Sequence, residues 1–272
     1  MSFFQILADR TARGECAALV TVIRAQGSVP RREGTKMLIF ADGSIEGTVG
    51  GGEMESLVIA AGLEALRTGK PQRLQYEFRD PDRGDVGVCG GEMEVFIEPI
   101  QPEKRLFVIG VGHVGQAIAY LASWLGFQVI VVDDRPDFAT PEKVPHAQAH
   151  FTCSIRELPD LVDITENAYL VLTTRGVPLD VEGLPSLLAT KAAYIGVIGS
   201  KRRWETTVEA MVESGVDPKA IARVHSPIGL EIQAETPQEI AVSVMAEIIM
   251  HMRAGSGQAM AHQPSASRVK EK

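Results

Sequence analysis

Cysteine is scarce: Cys16, Cys89 and Cys153 are the only three in 272 residues. They lie far apart and form no Cys-x-x-Cys pair. That excludes a disulfide framework and a four-cysteine zinc site, and it suits a reducing, cytoplasmic compartment. A basic excess is lacking too. The net charge is -8, which argues against a nucleic-acid partner. Long apolar runs are missing: even AVSVMAEIIM is broken by Glu247, so no stretch reads as a membrane span. The N-terminal MSFFQILADRTARGE has neither a cationic start nor a long apolar core and does not read as a signal peptide. GxSxG, HExxH and a Tyr followed four residues later by Lys are absent, and so are internal repeats. Gly62 to Lys70 misses P-loop spacing, with Pro71 where Ser or Thr would ligate magnesium. What remains, 45% hydrophobic and 23% charged, is the balance of a globular protein long enough for two domains.

The stretch from Arg105 to Arg135, RLFVIGVGHVGQAIAYLASWLGFQVIVVDDR, organises the chain. Leu106 to Ile109 reads as a buried parallel strand. Gly110, Gly112 and Gly115 follow at GxGxxG spacing. Val114, Ala117, Ile118, Leu121, Ala122 and Leu125 then recur at helical spacing, and Gly126 closes the helix. A second strand, Val129 to Val132, ends in Asp133 and Asp134. This is a complete βαβ unit of Rossmann type with an acid about 20 residues after the glycines. Gly110 permits the tight turn, Gly112 lets a pyrophosphate approach the backbone, and Gly115 lets the helix sit close to the sheet. Asp133 stands where a ribose-binding acid belongs, which favours NAD, or is a solvated strand end. Arg135 is placed to meet a 2′-phosphate and keeps NADP in view.

Ahead of this unit the pattern is mixed. Ser2 to Arg13 reads as a short helix and Ala17 to Ile23 as a strand. Lys36 to Phe40 and Ser44 to Thr48 flank Asp42-Gly43, a hairpin signal. Glu53 to Thr68 is helical with Gly69 as a stop; Arg73 to Phe78 and Met93 to Ile97 are alternating strands. EPIQPEK, with two prolines, is the domain boundary. The fold class is therefore α/β: an N-terminal mixed α/β domain over 1–100, a Rossmann-like parallel-sheet domain over 105–254, and a polar tail over 255–272. Within the second domain Ala168 to Leu172 and Ala193 to Ile198 read as strands. Helices cover Leu184 to Leu188, the stretch after Gly199, and Pro237 to Arg253.

Several residues are candidates for chemistry. Gly50, Gly51 and Gly52 run into a helix start and expose N–H groups to an anion, or make a plain tight turn. Arg31, Arg32 and Lys36 share one loop and supply positive charge, or a solvated face. Cys89, before two glycines in a loop, offers a thiolate to bind a soft metal or carry sulfur. Cys16 and Cys153 read as packing residues. His146 and His150 have helical metal spacing, but Pro145 breaks a helix there and no third ligand is near.

Together these motifs resemble the XdhC/CoxI family, accessory factors that mature xanthine dehydrogenases and related molybdenum hydroxylases. The resemblance rests on GSVPRREGTKM from Gly27, GTVGGGEME from Gly47, VCGGEMEVFIEP from Val88, FVIGVGHVGQA from Phe107, VVDDRPDFA from Val131, AYIGVIGSKRR from Ala193 and PIGLEIQAETPQEIAVSVMAEI from Pro227. It implies a family-specific N-terminal domain, a C-terminal Rossmann domain and a homodimer. It implies binding of molybdenum cofactor, as the pterin or its dinucleotide form, and its delivery to a molybdenum hydroxylase client after sulfuration by a cysteine desulfurase. Arg31, Lys36, Gly50 to Gly52, Cys89 and the helix start at Lys201-Arg202 are then the cofactor candidates, with Cys89 at the metal. The cleft between the domains is where they would meet. Two departures stand out. Thr174 to Asp180 lacks the histidine the family often carries, and Gln233 replaces an expected glycine. The competing readings are an NAD(P)-dependent oxidoreductase and a nucleotide-sensing regulatory module.

Overall fold

The computed structural model describes residues 2–78 and 91–261. The chain divides into two compact units, 1–103 and 104–272.

The first unit is built on an antiparallel sheet. Its elements are α1 (Phe3–Ala12), β1 (Ala17–Gln26), β2 (Lys36–Phe40), β3 (Ile45–Gly47), α2 (Gly52–Thr68), β4 (Gln72–Phe78) and β5 (Gly91–Ile100). The strand order is β3-β2-β1-β5-β4. Alternation decides which side chains meet: Ala18, Val20, Met37, Ile39, Met93 and Val95 line one face, and α2 covers them with Met54, Val58 and Ala65. Each such large apolar side chain, fully buried, contributes about 1.5–3 kcal/mol. Gly62 is the contact point, since a Cβ there would overlap Ile39 Cδ1. The other face packs Ala17, Leu38 and Phe40 against Phe3, Ile6 and Leu7 of α1. Gly69, at φ +66°, ends α2 as expected.

The second unit is a six-stranded, all-parallel sheet. It comprises β6 (Arg105–Ile109), α3 (His113–Trp124), β7 (Gln128–Asp133), β8 (Ala149–Thr152), α4 (Leu158–Leu161), β9 (Ala168–Leu172), α5 (Val177–Leu188), β10 (Tyr194–Val197), α6 (Lys201–Glu213), α7 (Pro218–Ile221), β11 (Val224–His225) and α8 (Pro237–Arg253). The order β11-β10-β9-β6-β7-β8 places the first strand of the unit beside the fourth. The direction in which strands are added reverses there, and the crevice beyond the strand ends is where α/β sheets seat ligands. Leu106 and Val108 face α3 and α8; Phe107 and Ile109 face α5 and α6. Both faces are buried, so β6, β7 and β9 are near-continuous apolar runs. Thr236 and Glu239 form a capping box at the start of α8, with Pro237 in the first turn. The short elements β8, β11, α4 and α7, four residues or fewer, escape a periodicity reading. Among the described residues no helix is long and apolar enough to cross a membrane.

Candidate functional site

In the first unit, two loops and the start of a strand converge. A Cβ on Gly50 would overlap Pro30 Cγ, and one on Gly91 would overlap the Ser28 carbonyl oxygen. The GSVPRREGTKM loop is thus packed against both the Gly50–Gly52 turn and the start of β5. Gly50, Gly51 and Gly52 all have positive φ (142°, 78° and 66°), which a side chain would strain. The turn does present inward N–H groups, but the chain itself supplies the anion. Glu55 Oε2 accepts from Val49 N at 3.2 Å, from Gly51 N at 3.4 Å and from the Thr48 hydroxyl. A phosphate on Gly50–Gly52 would displace that carboxylate. Arg31 and Arg32 are exposed; Lys36 Nζ donates to Thr21 Oγ1 at 2.9 Å. Cys89 lies outside the described residues. Cys16 Sγ is 3.4 Å from Gln101 Oε1, at the end of the central β1–β5 pair.

In the second unit the three glycines take different tasks. Gly110, at φ +98°, is pressed against β9, where a Cβ would stand 2.6 Å from the Thr173 carbonyl oxygen. A Cβ on Gly115 would overlap the Gly110 carbonyl oxygen, so α3 lies directly on the turn. A Cβ on Gly112 would meet nothing within 4 Å. Gly112 caps α3 without any side-chain hydrogen bond, so the first N–H groups of α3 face that open space.

Asp133 ends β7 where the spacing places it, and it is 4% exposed. Its carboxylate is already saturated. Oδ2 accepts from Val111 N at 2.7 Å and Arg135 Nη2 at 2.9 Å; Oδ1 accepts from Arg135 N at 3.1 Å and Arg135 Nε at 2.8 Å. Burial pushes its acidity toward the neutral form, but the Arg135 guanidinium and the Val111 and Arg135 N–H groups outweigh that and hold it below the usual carboxylate range. A ribose diol finds no free acceptor direction on it.

A cavity of about 250 Å³ opens beside it. Ile109, Val132, Ile155 and Leu179 give it apolar lining, and Asp134, Arg135, Ser154, Arg156, Arg175 and Glu182 polar lining. Arg175 is paired with Asp134 at 2.6 Å. Cys153, which reads as plain packing from the sequence, borders this cavity, and burial pushes its thiol up.

Lys201 and Arg202 at the start of α6 are exposed, and Ser200 Oγ already accepts from Arg203 N at 3.2 Å. The residue the sequence reading misses is Arg203. Its Nη2 lies 2.6 Å from Asp180 Oδ2 and 2.7 Å from Thr174 Oγ1, and its Nη1 3.1 Å from the Thr174 carbonyl. Asp180 is fully buried, so this pair locks the α5 and α6 starts together at the strand ends. Glu247 is another buried acid. It accepts from Tyr194 OH at 2.6 Å and from Gly229 N, with His225 Nδ1 3.2 Å away. Burial and Glu247 together raise the Tyr194 phenol far above its ordinary value. Gln233 has φ +56°, a backbone state that favours glycine. His150 Nε2 sits 2.9 Å from the Val144 carbonyl and His146 lies edge-on to Tyr120. Among the described residues no three His, Cys, Asp or Glu side chains are grouped to hold a metal.

A parallel sheet with a glycine turn at its switch point and an acid closing the next strand defines the class: a protein with a Rossmann-type unit, joined to an antiparallel α/β unit. The chain belongs to the XdhC and CoxI family. The model of the XdhC Rossmann domain matches residues 106–248, and that of the XdhC and CoxI family matches residues 11–77. The chain is 38% identical over 239 residues to "Uncharacterized protein YqeB" of Escherichia coli, covering 85% of this chain and 43% of YqeB. It is 35% identical over 155 residues to a protein of Bacillus subtilis named as a probable xanthine dehydrogenase component, covering 57% of this chain and 45% of that one. It thus spans less than half the length of both. It is 24% identical over 267 residues to the E. coli molybdenum cofactor insertion chaperone PaoD, covering 86% and 83%. A solved Bacillus halodurans structure described as a xanthine dehydrogenase shares the fold, with a TM-score of 0.50, 21% identity and coverage of 98% and 99%.

Proposed function

We propose that this chain is an accessory factor that binds molybdenum cofactor and delivers it, after sulfuration, to a xanthine dehydrogenase-type molybdenum hydroxylase. The observation that carries the reading is the convergence in the first unit, where Pro30 meets Gly50 and Ser28 meets Gly91. Loops distant in sequence are held together there with Arg31 and Arg32 at the surface. Family membership and the name of PaoD support it.

The donors present fit a phosphate ester. Arg31 offers a guanidinium fork, Lys36 keeps further N–H groups beyond its bond to Thr21, and the Gly50–Gly52 turn offers backbone N–H once Glu55 yields. In this proposal Cys89 faces the metal end, and Lys201-Arg202 add positive charge. The crevice beyond Gly110, Gly112 and Gly115 seats a nucleotide, either that of the extended cofactor or NAD(P). The partners are the hydroxylase client and a cysteine desulfurase, and the working form is a homodimer.

The test is molybdenum and pterin per protomer after purification from cells that make the cofactor. Wild type carries both. Arg31→Ala, Lys36→Ala and Cys89→Ala keep the wild-type circular dichroism, lose most of the bound molybdenum and fail to activate an apo-hydroxylase. Wild type purified without pterin or molybdenum refutes the reading, and variants with undiminished loading and transfer refute the residue roles.

A further inference from the structure

The second-unit crevice combines an apolar slot with a guanidinium that is held in place. Arg135 is fixed twice over: its Nε and Nη2 bond Asp133 at 2.8 and 2.9 Å, and its Cζ lies 3.3 Å over the Phe138 ring. Those bonds consume part of the five-donor fork. Nη1 and the second Nη2 hydrogen are left over, and the side chain, 30% exposed, lines the cavity. The acid beside it is the reverse case: Asp133 is closed to solvent and every lone-pair direction is filled. At this strand end the Asp133 carboxylate is therefore closed to a ligand while Arg135 keeps donors open, and Asp134 beside it is engaged by Arg175.

The apolar lining of Ile109, Val132, Ile155 and Leu179 suits a flat heteroaromatic base. A sugar attached to such a base and turned toward Asp134 and Arg135 lies at the end of β7. A sugar with two free hydroxyls would look to Asp133, whose lone pairs are filled. A sugar carrying a phosphate needs the unused guanidinium donors. We infer that the crevice selects a nucleotide phosphorylated on the ribose next to its base, in the manner of a 2′-phosphate, with Arg135 as the specificity-determining residue. Arg156 and Glu182 line the same cavity and offset each other in charge, so the selection rests on the open donors of Arg135. The inference rests on the crevice being a nucleotide seat, not on the molybdenum reading.

The experiment is calorimetry on the full chain with NADP and NAD as probes. Wild type binds NADP about tenfold or more tighter than NAD, the size expected of one charge-assisted pair. Arg135→Ala reverses the order: NADP weakens, while NAD gains because Asp133 is released to accept its ribose hydroxyls. Arg135→Lys keeps the charge without the fork and falls between the two. Labelling of Cys153 by a maleimide, followed by peptide mapping, places the ligand: NADP slows it. Equal affinity for the two probes in wild type, equal weakening of both by Arg135→Ala, no binding of either, or binding that leaves Cys153 labelling unchanged each overturns the inference. Molybdenum content is read on the same variant: loss of molybdenum together with NADP binding would show that the crevice holds the cofactor's own nucleotide and would overturn the inference, whereas wild type that binds NADP but carries no molybdenum refutes the carrier reading alone.

Discussion

Two glycines three residues apart make the sharpest test of the second unit. At Gly112 the backbone is at φ -73°, ψ -169°, a conformation open to any residue, and an added methyl meets nothing within 4 Å. Replacing a glycine cap by alanine costs a few tenths of a kcal/mol to about 1. The stiffer unfolded chain returns about 0.4–1 kcal/mol. Gly112→Ala should therefore melt within about 2 °C of wild type. At Gly115 the methyl would overlap the Gly110 carbonyl oxygen and stand 2.9 Å from Thr173 Oγ1. α3 would have to lift off β6, against a helix-propensity gain of about 1 kcal/mol. Overpacking of this kind costs about 1–3 kcal/mol or more, so Gly115→Ala should lose about 2 kcal/mol and melt about 4–8 °C lower. Nucleotide titration then separates function from packing. Gly112→Ala, stable as it is, should lose at least about tenfold in affinity because its methyl occupies the space at the head of α3. Undiminished binding by Gly112→Ala would show that no ligand uses that space, and an unchanged melt for Gly115→Ala would refute the close approach of helix and turn.

Two further outcomes follow from the buried charges. Arg203→Ala leaves the fully buried Asp180 without its guanidinium and should cost about 3–5 kcal/mol by urea denaturation; adding Asp180→Leu should recover part of that loss, and purely additive losses would refute the pairing. Asp133 is held below its unfolded value of about 3.9, so its contribution is fully present above that value and disappears as pH falls through the lower folded value. The stability gap between wild type and Asp133→Asn should be constant near neutrality and close below about pH 4, and a gap that widens with acid contradicts the assignment.

Long repeating patterns were legible in the sequence. The 17 residues of α8 and the β6–α3–β7 unit fall where their periodicities put them, and each GxGxxG glycine has the geometry its spacing implies. The short β8 was not legible, since four residues hold too little pattern, and without its place in the sheet Cys153 could not be put beside a cavity. The partners of the acids were illegible for a different reason. Arg135 turns back on Asp133 two residues away, and Arg203 reaches Asp180 across the strand ends. Spacing sets which residues are near the strand ends, but side-chain packing sets which of them face each other.

In both units a carboxylate of the chain holds the N–H groups of a glycine turn. Asp133 accepts from Val111 in the turn after β6, and Glu55 accepts from Val49 and Gly51 in the turn before α2. Inward N–H groups left bare would each cost about 1–3 kcal/mol when shielded from water, so an internal acid keeps such a turn formed before any ligand arrives. It also competes with an incoming anion and repels it. Glu55→Gln keeps an acceptor oxygen of the same reach and removes the charge. The three hydrogen bonds on Glu55 Oε2 should weaken from charge-assisted to neutral, at about 1–2 kcal/mol of stability. Inorganic phosphate, measured by equilibrium dialysis, should bind about tenfold more tightly to the variant than to wild type, since it displaces a neutral amide instead of a carboxylate. A variant that loses stability and gains no phosphate affinity would show that Glu55 is the permanent occupant of the turn, and the cofactor phosphate would then have to be held by Arg31 and Lys36 alone.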